Sequence, residues 1–220
     1  MGKTAIILGA TGLTGGLLLE QLLADNRYEK IKLFSRSTCG ITNPKIEEHL
    51  VDLFQLKSHQ EQFTAHVVFC CIGTTKAKTP DQETYLKIDY GIPVSAAEIA
   101  KENGIQTYIV ISALGADKNS KVFYNRTKGR MEEAVLAQQI PNTYVLQPSL
   151  IGGSRDEKRL GEKLAKMAMT ILNPFLMGSL AKYKSIQPET IATCMVFLDH
   201  NNYPDSRILS DDIKQIVTNN

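Results

Sequence analysis

The chain has 220 residues, of which 43% are hydrophobic and 22% charged, and its formal net charge is +2. That length builds one substantial core and is short for two domains, and the composition is that of a globular protein. So balanced a charge argues against nucleic acid or an anionic membrane as partner. The cysteines form no C-x-x-C pair and the histidines are scattered, so no metal site is expected.

The chain opens with Thr4 to Leu8, a short apolar run that stops at Gly9. Apolar residues resume at helical spacing from Leu17 to Leu23, so the segment reads as strand, tight turn, helix. Glycines at 9, 12 and 15 suit that turn. The first permits the reversal, the second lets a ligand approach the backbone, and the third lets the helix lie close to the strand. With Thr11, Leu13 and Thr14 they frame a helix N-terminus able to hold a pyrophosphate. The spacing is G-x-x-G-x-x-G rather than the commoner G-x-G-x-x-G, and an ordinary structural turn is the competing reading. Gly2-Lys3-Thr4 looks like the end of a P-loop, but no glycine-rich loop precedes it, and that reading is rejected.

Lys30 to Phe34 reads as a second strand ending at Ser35-Arg36-Ser37, and Ile46 to Val51 as a third. Residues 54–63 read as a helix. His66 to Ile72 is an uninterrupted apolar run, which suits a strand buried on both faces, and Gly73 stops it. Lys76 to Glu83 reads as a loop, Tyr85 to Asn103 as one long helix stopped by Gly104, and Thr107 to Ile111 as the next strand. A helix over 123–139, a strand over 143–147, helices over 158–172 and 188–199, and a late strand at 207–209 complete the series.

Strands alternating with helices predict an α/β fold, a Rossmann-type doubly wound parallel sheet in the order 3-2-1-4-5-6 with room for a seventh strand. The whole of 1–220 is expected to be one domain, with residues about 151–185 forming a small substrate-side cap. Within that cap Met167 to Ala181 is apolar but broken by Asn173-Pro174 and Gly178, too short and interrupted for a membrane span. No secretory signal is read at the N-terminus, and Cys70 and Cys71 read as buried free thiols, so a cytoplasmic setting is expected.

Ligands of such sheets bind beyond the carboxyl ends of the strands, which here offer Gly9, Arg36, Asp52, Gly73, Ser112 and Gln147-Pro148. Arg36, a guanidinium between two hydroxyls, stands where the fold discriminates cofactors and suits a 2′-phosphate, so NADP(H) is expected over NAD(H). A solvated surface arginine is the alternative. Asp52, followed by Leu53, serves equally as a partner for an adenine amino group or as a helix N-cap. Tyr124 and Lys128, at i and i+4, share one helix face, and Ser112 ends the preceding strand. A free tyrosine titrates near ~10, so a fixed cation is needed to favour its phenolate near neutrality. Tyr124 can then pass a proton to or from a substrate oxygen that Ser112 also hydrogen-bonds, while Lys128 additionally holds the nicotinamide ribose. A bare Y-x-x-x-K is frequent by chance; Ser112 and the glycine turn give this one weight.

Gly9-Ala10-Thr11-Gly12-Leu13-Thr14-Gly15, Phe69 to Thr75, Ser112 to Asp117, Tyr124 to Lys128 and Gln147 to Gly152 together resemble the short-chain dehydrogenase/reductase superfamily. The resemblance is to its atypical, extended-like branch, and most closely to the Tat-interacting-protein-like subgroup. It covers residues 5 to about 160 in order, with Arg155 and Gly161-Glu162 reaching into the cap. It implies a Rossmann fold, NADP(H) binding and a Ser-Tyr-Lys site at Ser112, Tyr124 and Lys128. It further implies a cofactor lined by Cys71, Ile72 and Gly73, and a nicotinamide bordered by Pro148, Leu150 and Ile151. Many relatives pair as homodimers, which the sequence leaves open. Two departures stand out. Lys87-Ile88-Asp89-Tyr90 occupies the region where the superfamily usually places a relay asparagine, and Gln147-Pro148 stands where many extended members carry Arg-Pro. The expected activity is NADP(H)-dependent hydride transfer to or from a small carbonyl or alcohol substrate. The alternatives are a dinucleotide-binding regulator that acts through a protein partner with little turnover, and isomerase or epimerase chemistry with a held cofactor.

Overall fold

The computed structural model describes residues 2–152 and 185–219. Strand β1 (Lys3–Leu8) leads into α1 (Leu13–Ala24), followed by β2 (Tyr28–Ser35) and β3 (Ile46–Leu50). A 3-10 segment (Leu53–Gln62) precedes β4 (Val67–Cys70). Then α2 (Gln82–Leu86), a π-helical turn (Lys87–Gly91) and α3 (Ile92–Glu102) run head to tail before β5 (Thr107–Ile111). Next come α4 (Phe123–Leu136), β6 (Asn142–Gln147), α5 (Pro188–His200), β7 (Arg207–Leu209) and α6 (Ser210–Thr218). The expected helix 158–172, the apolar 167–181 stretch and nearly all of the expected cap lie outside the described residues.

All seven strands form one parallel sheet in the order β3-β2-β1-β4-β5-β6-β7, so the doubly wound sheet is as expected and the seventh strand is present. Both faces are covered. Ala5 and Ile7 of β1 join the core built with α1, α5 and α6, whereas Ile6 and Leu8 join the core built with α3 and α4. A strand buried on both sides needs apolar residues at every position, which is why β1 and β4 read as continuous runs.

Four elements differ from the sequence reading. The helix expected at 54–63 is a kinked 3-10 segment whose buried residues, Leu53 and Leu56, lie three apart, matching a three-residue turn. The single helix expected over 85–103 is interrupted by the π turn, just ahead of Pro93, whose missing N–H cannot continue the ladder. The turn carries Asp89 inward to full burial. Helix α6 was not anticipated; Asp212 opens it by accepting from the Leu209 backbone N–H at 3.2 Å. Helix α4 stops at Leu136, before the expected Gln139, which itself has a left-handed φ of 54°.

Helix α4 is seated by close contact. A Cβ on Gly129 would come within 2.3 Å of both the Asp117 carbonyl carbon and the Lys118 nitrogen. Backbone cannot yield as a flexible side chain does, so Gly129→Ala must push α4 off the 117–118 turn. We expect a stability loss of about 2 kcal/mol or more, read as a drop in the urea midpoint at unchanged slope.

Candidate active site

The turn after β1 is closed by steric necessity. Gly9 has φ +87°, in the left-handed region, and a Cβ on Gly15 would lie 2.1 Å from the Gly9 carbonyl oxygen. Gly12 is the N-cap of α1; no side chain caps it, and no acidic residue occupies the first turn. The positive end of α1, from Leu13 through Thr14 to Gly15, therefore starts at the sheet edge with nothing anionic in its own first turn to compensate it.

That edge opens into a cavity of about 670 Å³, a volume typical of small-molecule sites. Gly9, Thr11 and Gly12 form its floor, and Ser35, Arg36 and Ser37 its far end. Arg36 is exposed and makes no ion pair among the described residues, while Ser35 Oγ donates to the Ser37 carbonyl at 2.7 Å to fold the turn beneath it. Asp52 lines the cavity beside Leu53 and also caps the 3-10 segment, its Oδ1 accepting from the Phe54 N–H at 3.0 Å. Cys71, Ile72 and Gly73 form the opposite wall. Burial pushes both the Cys70 and Cys71 thiols up, leaving them protonated and weakly nucleophilic.

Sequence reasoning missed the lid of this cavity. Lys78, Thr79, Pro80 and Asp81 from the loop after β4, Thr84 of α2 and Ile88 of the π turn all line it. The Thr74 and Thr79 hydroxyls meet at 2.9 Å, and Asp81 caps α2 by accepting from the Thr84 N–H at 2.8 Å. The Asp81 cap was visible as a local signal, but the return of the loop onto the groove depends on tertiary contact.

A second cavity, of about 730 Å³, is lined by Ser112 to Gly115, Tyr124 and Asn125, and Pro148 to Ile151. Tyr124 is 40% exposed toward it. Lys128, one turn along α4, is almost fully buried, with Nζ 2.9 Å from Asp89 Oδ1. A Cβ on Gly73 would be 3.7 Å from that Nζ and 3.6 Å from that Oδ1, so the ion pair sits directly behind the wall of the first cavity. Burial pulls Lys128 down, but Asp89 and Tyr124 outweigh it and the net shift is upward, fixing the ammonium. Burial also raises the Tyr124 hydroxyl; Lys128 opposes this and Asp89 adds to it. Because Tyr124 is part-exposed, solvent tempers these effects.

Ser112 and Gln147 meet at a second buried carboxylate that was not anticipated. Ser112 Oγ donates to Glu132 Oε1 at 2.5 Å, and Gln147 Nε2 donates to both carboxylate oxygens at 2.9 Å. Arg207 from β7 completes the set, with Nε 3.0 Å from Oε2. The positive charge that an Arg-Pro motif would place at position 147 thus arrives from the neighbouring strand. With its one proton given to Glu132, Ser112 presents lone pairs to the second cavity.

Residues 9–170 match the NAD(P)H-binding family. The chain belongs to that family. It is 31% identical over 159 residues to the protein FMP52-1, mitochondrial, of Scheffersomyces stipitis, covering 71% of this chain and 70% of that one. To the protein HTATIP2 of Rattus norvegicus it is 32% identical over 168 residues, covering 74% and 69%, in keeping with the Tat-interacting-protein-like resemblance. Among solved structures, the Bordetella bronchiseptica enzyme WbmG in complex with NAD superposes with a TM-score of 0.70 at 10% identity, over 94% of this chain and 72% of that one, which supports the fold. The mitochondrial designation of fungal relatives overturns the cytoplasmic expectation. Free thiols fit any reducing compartment and do not distinguish the cytoplasm from a mitochondrion. No helix among the described residues is long and apolar enough to cross a membrane.

Glu132 is 2% exposed and holds three donors, whereas its neighbour Glu133 is solvent-facing. Glu132→Ala strands the Gln147 amide and the inner face of Arg207, and should cost about 2–3 kcal/mol in urea denaturation. Glu133→Ala, which removes only exposed pairs, should cost at most about 0.5 kcal/mol.

Proposed function

We propose that this chain is an NADP(H)-dependent oxidoreductase acting on a small carbonyl or alcohol substrate. One observation carries the reading. Tyr124 opens into the second cavity while Lys128, four residues on, is buried against the wall of the first, so one helix face joins a dinucleotide groove to a substrate pocket.

The first cavity fits a dinucleotide on its own features. Gly15 lets α1 lie on the β1 turn where a Cβ would meet the Gly9 carbonyl oxygen, the first turn of α1 holds no acidic residue, and Arg36 is an exposed cation with no ion pair among the described residues. In this reading the glycine turn from Gly9 to Gly15 holds the pyrophosphate, and Arg36 takes the 2′-phosphate. Asp52 and Leu53 flank the adenine, and Cys71 to Gly73 with Pro148, Leu150 and Ile151 border the nicotinamide. Bound there, the cofactor supplies the hydride, or the site for one, that no side chain can provide. Tyr124 moves a proton at the substrate oxygen, Lys128 sets the charge beside its phenol, and Ser112, its own proton committed to Glu132, accepts a hydrogen bond at the pocket wall.

Calorimetry should show tighter binding of NADPH than of NADH, with Arg36→Ala weakening NADPH by about 1.5–3 kcal/mol and leaving NADH unchanged. Equal losses for both cofactors would count against a 2′-phosphate clamp. In a carbonyl-compound screen, Tyr124→Phe should keep cofactor binding and lose turnover by roughly 100-fold or more.

A further inference from the structure

The π turn raises a question that the proposed activity does not answer, namely why a carboxylate is buried on the lysine meant to activate Tyr124. Asp89 is fully buried. Its Oδ2 accepts from the Thr74 backbone N–H at 2.8 Å, which anchors the loop that covers the dinucleotide groove. Its Oδ1 lies 2.9 Å from Lys128 Nζ, a charge contact with the ammonium off the line of an ideal hydrogen bond. Among the described residues the lysine has no other carboxylate within ion-pair distance.

From this geometry we infer that Asp89 is a positioning residue that holds Lys128 and offsets part of its charge at Tyr124. With the burial of the phenol, that offset keeps Tyr124 in its proton-carrying form, and the site is poised to reduce a carbonyl rather than to oxidise an alcohol. The inference rests on the oxidoreductase reading and adds a direction to it. A lone lysine beside a tyrosine favours the phenolate, which accepts a proton from an alcohol; a lysine paired with a carboxylate presents little net charge, and the phenol keeps its proton. In the reductive step the carbonyl π bond breaks, and its carbon gains the hydride from the reduced dinucleotide, which is oxidised. The carbonyl oxygen takes the Tyr124 proton, giving the alcohol. Tyr124 is left as phenolate and regains a proton from water.

The groups around the pair are few. Lys128 feels Asp89, Tyr124 and the Cys70 thiol of β4; Tyr124 feels Lys128 and Asp89; and Tyr85 of α2 faces both Asp89 and Tyr124. Cys70 and Tyr85 are both shifted upward and stay neutral near pH 7, so among the described residues Asp89 is the only anion in the cluster.

The test is the titration of Tyr124 in the cofactor-free protein, followed by NMR of ring-labelled tyrosine and assigned by the signal lost in Tyr124→Phe. It needs neither dinucleotide nor substrate, so its outcome is independent of whether the chain is an oxidoreductase. An ordinary tyrosine is half ionised near pH ~10, where Tyr124 should be less than half ionised. Asp89→Asn, which removes the charge and keeps the shape, should lower the midpoint. Half-ionisation of wild-type Tyr124 at or below pH 10 would overturn the inference, whether or not the variant folds. So would a midpoint that Asp89→Asn, or Asp89→Ser in its place, leaves unmoved. A merely structural Asp89 would alter stability without moving that midpoint.

Discussion

The carbonyl oxygen of Gly9 occupies the space a side chain on residue 15 would need, 2.1 Å from where its Cβ would be. That approach lays α1 directly on β1, and its consequences spread through the molecule. It brings the uncapped α1 N-terminus to the carboxyl edge of the sheet, beside the ends of β2 and β4. The groove that results has Gly9, Thr11 and Gly12 in its lining, beside the free backbone end of the helix.

Chemistry at that edge is organised around two buried carboxylates, each of which holds a different part of the site. Asp89 ties the covering loop, through Thr74, to Lys128 of α4. Glu132, one turn further along α4, gathers Ser112 of β5, Gln147 of β6 and Arg207 of β7. Burying either charge alone would be costly, and both are matched by donors from several elements. Residues that line or back the two cavities are thus held by carboxylates that line neither the first cavity nor the second. Such support keeps a site within the small tolerances that proton transfer demands.

Much of this was legible in the sequence because it is local. The strand-turn-helix at 4–23, the apolar strand at the start of the Cys70-Cys71 run, and Tyr124 with Lys128 depend on spacings of a few residues, and each stands where spacing places it. The π turn was not legible. Inserting one residue into a helical pattern leaves the apolar periodicity on either side intact, and only the inward turn of Asp89 reveals it. Glu132 reads as one more charged position on an exposed helix face until residues 15 and 75 positions away arrive to satisfy it. The stretch from Lys76 to Glu83 reads as a simple polar connection, since its placement at the groove is decided by the contacts of Thr74 with Asp89 and Thr79. Compartment was not legible either, because free thiols report redox state and not address.

Hydrogen–deuterium exchange with and without NADPH tests the central claim, that the groove above Gly9 is a dinucleotide site reaching the Tyr124–Lys128 face. Protection should appear in Gly9 to Gly15, in Cys71 to Thr79 and at the start of α4, with β3 and α6 unchanged. Absence of protection in the first two stretches, or protection confined to other surfaces, would contradict the account.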